Sequence, residues 1–87
     1  MEGFVFQVDK DIVRFEIEYA KVDVYLLKED RVGNKQFNYQ STSTPESVLK
    51  YLKGAEVMPI LDYGYRGVGD CVKALNEARE YIQEMRE

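Results

Sequence analysis

The sequence predicts a single α+β domain spanning residues 1–87: an antiparallel meander of three to four strands, with a short helix and a long C-terminal amphipathic helix packed on one face. Three observations predict this class. Apolar and polar residues alternate through much of the first 40 positions, which is the pattern of half-buried strands. A proline-initiated apolar stripe follows, and residues 70–86 repeat apolar side chains at helical spacing.

The first strand is predicted over residues 4–8, where Phe4, Phe6 and Val8 share one face. Val8-Asp9-Lys10-Asp11 is suited to a tight turn into the next strand. Short connections of this kind join antiparallel neighbours, so the first two strands are expected to pair.

Residues 11–27 lie within the longest run without Gly, Pro, Asn or Ser. One alternating apolar set lies at odd positions (Val13, Phe15, Ile17 and Tyr19), and the set that follows lies at even positions (Ala20, Val22, Val24 and Leu26). Because a one-residue slip exchanges the two faces of a strand, the chain must bulge or turn at this point. We favour one bulged, bent strand, since Ala20-Lys21 is poor hairpin chemistry.

A polar segment, residues 28–35, contains Gly33-Asn34 and predicts a second tight connection. The returning strand is predicted over residues 36–40, with Phe37 and Tyr39 on one face.

Thr44 as N-cap and Pro45 at the first helical position predict the start of the short helix. Ser43 with Glu46 also fits a capping box, and Gly54 suits the C′ position that follows a helix. Residues 55–61 are then either an extended edge segment or a loop that covers the core, because Pro59 forbids a central strand.

The final helix is predicted from the cap Asp70 to about Arg86. Two arcs divide its surface. The apolar arc comprises Cys71, Ala74, Leu75, Ala78, Tyr81, Ile82 and Met85, and the acidic arc comprises Glu77, Glu80, Glu84 and Glu87.

Composition restricts the function classes. The net charge of −4, without a basic cluster, argues against nucleic-acid or membrane binding and leaves a basic protein partner open. One cysteine, no signal peptide and no apolar run of membrane-spanning length predict a cytoplasmic protein.

The chain contains no histidine and no convergent acid–base pair, so an enzyme is not expected. Cys71 is expected to be a buried apolar residue. No cofactor is expected. No metal is expected either, because Asp62 and Asp70 do not have the spacing of a calcium loop.

The loop 62–70 has three interpretations. Its glycines resemble a phosphate-binding loop, but the glycine order and the lysine are missing, and Asp70 stands where the phosphate would bind. Tyr63, Tyr65 and Arg66 also fit a contact loop, because tyrosine and arginine dominate interface hot spots. Alternatively, the tyrosines simply pack over the sheet edge with their hydroxyls in water.

Two further surfaces are candidates for partner binding. The sheet face that points away from the helices is predicted to carry Arg14, Glu16, Glu18, Asp23 and Tyr25. It is either an ordinary solvated face or a flat binding surface. The acidic arc of the last helix either keeps that face soluble or mimics the charge rows of a nucleic acid.

The second half of the chain resembles the small phage-encoded anti-CRISPR proteins that inhibit type I-F systems. The matching residues are Ser43-Thr44-Pro45-Glu46, Leu52, Gly54, Gly67-Val68-Gly69 and Ala74-Leu75-Asn76-Glu77. The resemblance implies a stoichiometric inhibitor that binds a basic, nucleic-acid-handling Cas protein and blocks target DNA.

The leading hypothesis is therefore a phage-type inhibitor that blocks a host defence protein by occlusion. Its predicted contact set is Tyr63, Tyr65, Arg66, Tyr25, Glu16 and Glu18. The alternative is a binding protein, or sponge, for a small ligand such as a signalling nucleotide, which would use the loop 62–70. An exposed edge at residues 55–61 would also allow a homodimer through strand addition.

Overall fold

A computed structural model describes residues 2–60 and 68–85 and confirms the predicted α+β class. Five antiparallel strands form one sheet in the order β4-β3-β2-β1-β5, and two helices pack on one of its faces. The elements are β1 (Glu2–Val8), β2 (Asp11–Glu18), β3 (Lys21–Glu29), β4 (Lys35–Ser43), α1 (Pro45–Gly54), β5 (Val57–Pro59) and α2 (Val68–Met85).

The long central stretch is two strands and not one. Glu18 pairs with Lys21, and Tyr19-Ala20 forms a two-residue hairpin loop, so the predicted bulged strand is wrong. The hairpin explains why the apolar residues change from odd to even positions. The alternation begins again in β3, where Val22 lies on the buried face. Tyr19 adopts φ 54°, a left-handed conformation that is uncommon for a residue other than glycine.

The connection between β3 and β4 is shorter than expected because both strands are longer. Asp30 organises it: its carboxylate accepts hydrogen bonds from the backbone N–H of Val32 and of Asn34, each at 2.9 Å. Gly33 adopts φ 90°, which glycine tolerates without strain. The register shifts by one residue opposite Val24 and Tyr25, so β4 contains a bulge at position 40 and continues to Ser43.

The predicted start of α1 is confirmed. Thr44 is the N-cap, its side-chain oxygen accepts from the backbone N–H of Ser47 at 3.2 Å, and Pro45 is the first helical residue. The end differs from the prediction, because Gly54 is the last helical residue and not a C′ residue.

Residues 57–59 resolve the alternative left open for the segment after α1, because they pair with β1 as an edge strand. Flanking hydrogen bonds hold the segment in place, from Asp9 N–H to the Glu56 carbonyl at 2.9 Å and from Ile60 N–H to the Val5 carbonyl at 3.2 Å. Pro59 is tolerated because β5 is the terminal strand. Helix α2 begins at Val68, so Asp70 lies in its first turn and is not the cap.

The core lies between the sheet and the two helices. Its residues are Phe4, Phe6 and Val8 of β1, Val13, Phe15 and Ile17 of β2, Val22 of β3, Val48, Leu49 and Leu52 of α1, and Ala78 and Ile82 of α2. No described residue of β4 belongs to this cluster. The helices therefore cover the middle of the sheet, and β4 extends beyond them.

Candidate protein-binding surface

The six residues of the predicted contact set do not all lie within the described chain. Tyr63, Tyr65 and Arg66 lie outside the described residues, so the contact-loop prediction stays a prediction. The same holds for the glycine loop through residue 67 and for the side chain of Cys71. Glu16, Glu18 and Tyr25 are described and half-buried.

Glu16 and Tyr25 lie on the sheet face opposite the helices, because they alternate with the buried residues of their strands. Arg14 Nη2 lies 3.0 Å from Glu16 Oε1. The same guanidinium passes close over β1, where a Cβ at Gly3 would lie 3.2 Å from Arg14 Nη2. A side chain at position 3 would therefore displace Arg14, and glycine lets the cation lie flat on the sheet.

Two tyrosines continue this surface toward the sheet edge. Tyr25 and Tyr39 face each other across β3 and β4 with ring centroids 5.7 Å apart in an edge-to-face arrangement. The hydroxyls of Tyr39 and Thr42 are 2.6 Å apart, and the Thr42 hydroxyl donates to Asp23 Oδ1 at 2.6 Å. The polar groups of this face are therefore largely engaged with one another, which favours a rigid surface.

Partial burial raises the pKa of Tyr25 above its usual value of 10.0, and the negative charges of Glu16 and Asp23 raise it further. A hydrogen bond from the Tyr25 hydroxyl to Glu16 also favours the protonated phenol. The pKa of Tyr25 is higher in the folded chain than in the unfolded chain, so the protonated phenol stabilises the fold. This stabilisation is complete at pH values below the unfolded pKa of Tyr25 and is lost as the pH rises through its folded pKa.

Replacing Glu16 with glutamine is therefore expected to lower the titration midpoint of Tyr25, because one carboxylate charge and one strong acceptor disappear. NMR chemical shifts of the Tyr25 ring across alkaline pH would measure that midpoint. Glu77→Gln on α2 is the matched control and is expected to leave it unchanged. Equal midpoints in wild type and Glu16→Gln would contradict the role assigned to Glu16.

A second surface lies where the β2–β3 hairpin meets the C-terminal half of α2. An open groove of about 620 Å³ is lined there by Ile17, Glu18, Tyr19, Tyr81, Glu84 and Met85. Tyr19 is 89% exposed at the tip of the hairpin, and Tyr81 is 40% exposed on the helix. The hairpin fixes this arrangement, because its loop places Tyr19 outside the strand pair.

The groove continues along α2 into a smaller depression lined by Phe4, Glu77, Glu80, Tyr81 and Glu84. We call the two together the acidic groove. Its described lining includes four glutamates and two exposed tyrosines, and it includes no lysine or arginine. Lysine and arginine side chains bind both kinds of group, through ion pairs with carboxylates and cation–π contacts with tyrosine rings.

Sequence reasoning found part of this site. It named the acidic arc of α2 and also Glu18, although it placed Glu18 on the sheet face that points away from the helices. The structure instead brings Glu18 and Glu84 to one groove. It missed Tyr19, which it placed inside a continuous strand, and it assigned Tyr81 to the apolar arc. The change of parity at Tyr19 was the available signal, because a turn there exposes the residue.

The described residues contain neither a cluster of three potential metal ligands nor a helix that is long and apolar enough to span a bilayer. Comparison with known proteins gives no match to a family model, to a curated protein or to a solved structure. The function is therefore proposed from the chemistry of the surface, together with the resemblance of the second half of the chain to type I-F anti-CRISPR proteins.

Proposed function

We propose that this chain is a small protein-binding inhibitor whose acidic groove docks on a basic, nucleic-acid-handling surface of a host protein and occludes it. The observation that supports the proposal best is the grouping of Glu18, Tyr19, Tyr81 and Glu84 around one groove. A surface that binds nucleic acid presents lysines and arginines, which are the groups such a groove attracts.

The nature of the target follows from the resemblance to the type I-F anti-CRISPR inhibitors. We infer a phage-encoded protein that acts on a Cas effector subunit by occupancy, without a chemical reaction. Among the described residues of the predicted contact set, Glu18 is the one that lines the groove. Tyr63, Tyr65 and Arg66 remain a predicted addition to it.

The test is binding to a purified type I-F surveillance complex, measured by biolayer interferometry at several salt concentrations. We expect Glu18→Gln with Glu84→Gln to weaken binding by about tenfold or more, because both substitutions remove charge and preserve shape. The matched control, Glu46→Gln with Glu56→Gln, makes the same change at exposed positions outside the described lining of the groove.

Target DNA supplies the second arm of the experiment. Occlusion predicts that pre-bound target DNA blocks the inhibitor and that higher salt weakens binding, since both affect the same basic surface. Failure of the chain to bind the complex would reject the Cas target. Binding that is unaffected by both groove substitutions would reject the groove as the contact surface.

A further inference from the structure

Strand β4 is the long free edge of the sheet. It is nine residues long, it pairs with β3 on one side, and within the described chain no strand lies on its other side. None of its residues is buried, and Tyr39 is 56% exposed. Exposed strand edges of this length pair readily with another chain unless charges, prolines or bulges prevent it.

The ladder phase shows which backbone groups face outward. Asp30 N–H donates to the Asn34 carbonyl, so this pair is hydrogen-bonded across β3 and β4. Hydrogen-bonded pairs alternate along an antiparallel ladder, which directs the backbone groups of Gln36 and Asn38 toward β3. Those of Lys35 and Tyr39 consequently point to the open edge.

The bulge at position 40 limits this edge. After the register shift, Ser41 pairs with Val24. The regular alternation of outward-pointing backbone groups that begins at Lys35 therefore ends at Tyr39. An incoming strand therefore has the segment Lys35–Tyr39 to pair with, and the best register uses its full length.

We propose that this edge, the segment Lys35–Tyr39, joins a second copy of the same chain in an antiparallel, two-fold symmetric pair centred on Phe37. This inference goes beyond the proposed inhibitor and does not rest on it. In that register Lys35 of each copy lies opposite Tyr39 of the other, and both residues have outward backbone groups on both copies. The two sheets become one continuous sheet of ten strands.

The side chains of the segment are complementary to themselves in this register. Lys35 comes beside the Tyr39 ring of the second copy, where a cation–π contact is favourable. On the other face, Gln36 lies opposite Asn38 of the second copy, and both are exposed amides that can hydrogen-bond to each other. The two Phe37 side chains meet across the symmetry axis.

Charge favours a second copy at this edge over other parts of the surface. The chain carries a net charge of −4, but β4 contains no acidic residue and one cation, Lys35. Lysines of the two copies are offset by four positions, or roughly 13 Å along the strand, which exceeds the screening length of about 8 Å at physiological salt. Since β4 extends beyond the helices, they leave space for the second copy.

We prefer the β4 edge to the dimer edge predicted at residues 55–61. The strand there, β5, is only three residues long and ends in Pro59, which lacks a backbone donor. It therefore offers far fewer hydrogen bonds than β4.

The first test measures oligomeric state and amide exchange on the same samples. Sedimentation equilibrium from micromolar to millimolar concentration is expected to show a monomer–dimer equilibrium. Hydrogen exchange by NMR is expected to show Lys35 and Tyr39 amides becoming protected as the dimer forms, while Gln36 and Asn38 are protected throughout. A chain that stays monomeric at every concentration, or a dimer with unprotected Lys35 and Tyr39 amides, would overturn the proposal.

A charge-swap pair tests the register. Tyr39→Lys places a lysine at position 39 of each copy opposite Lys35 of the other copy. It is expected to weaken dimerisation about tenfold, because directly opposed like charges repel. Adding Lys35→Glu to Tyr39→Lys is expected to restore it. Positions 35 and 39 are too far apart within one copy to pair, so restoration reports contact between copies. If the double variant stays as weak as Tyr39→Lys, this register is wrong.

An outside strand is the competing occupant. Protection of the Lys35 and Tyr39 amides that appears only when the surveillance complex is added, while the chain alone remains monomeric, would assign the edge to that partner and reject the second copy.

Discussion

Replacing Phe15 with alanine is expected to lower the free energy of unfolding by about 3–5 kcal/mol, through lost burial and the cavity that remains. Phe15 is 1% exposed at the centre of the sheet. Its ring lies 6.2 Å from the ring of Phe6 and 6.5 Å from the ring of Tyr51, measured between centroids. It therefore connects β1 and β2 to α1.

A domain of this size is stable by roughly 4–13 kcal/mol, so the substitution removes a large share of the total. Urea denaturation followed by circular dichroism would measure the loss. Tyr39→Ala is the control, because it removes an aromatic ring from the same sheet at a position that is 56% exposed. We expect it to cost about 1 kcal/mol or less. Similar losses for the two variants would mean that Phe15 is not a central core residue.

Replacing Ile82 with aspartate is expected to detach α2 from the sheet. Ile82 is 1% exposed and belongs to the core cluster, so an ionised carboxylate there would lie among apolar side chains without a partner. Burial of an unpaired charge is among the most damaging single changes, and we expect a loss of more than about 4 kcal/mol.

Val72→Asp is the matched control, because it introduces the same group on the same helix at a position that is 53% exposed. Its melting temperature is expected to stay close to that of the wild type, while Ile82→Asp should lose its cooperative thermal transition. If both variants melt alike, α2 does not pack through Ile82.

The sequence patterns that were interpreted correctly are those in which one local rule determines the structure. Alternation in β1 and in β2 placed the correct side chains in the core. Thr44 specified the start of α1 through its capping hydrogen bond, and Pro45 did so through its fixed φ angle. Both effects depend on neighbouring residues alone.

The wrong strand prediction at Tyr19-Ala20 and the undecided alternative at residues 55–61 both fall where tertiary structure overrides local preference. Tyr19-Ala20 lacks the residues that favour a hairpin, yet the strands that it connects bury enough apolar surface to impose the turn. Residues 57–59 are too short to specify a strand by themselves, and β1 supplies the edge with which they pair.

The site was predictable only in part, for a related reason. Charge patterning showed the acidic arc of α2, but only the hairpin brings Glu18 and Tyr19 beside it. The edge at β4 depends on strand order, and strand order cannot be derived from the composition of a single strand.

The sheet order also determines how the cost in chain entropy is distributed during folding. The β1–β2 and β2–β3 contacts close two-residue loops, and the β3–β4 connection has five residues. The pairing of Phe6 with Pro59 closes a loop of about fifty residues. Among the strand pairings, the long-range search is therefore concentrated in a single event, the arrival of β5 beside a meander that forms from local contacts.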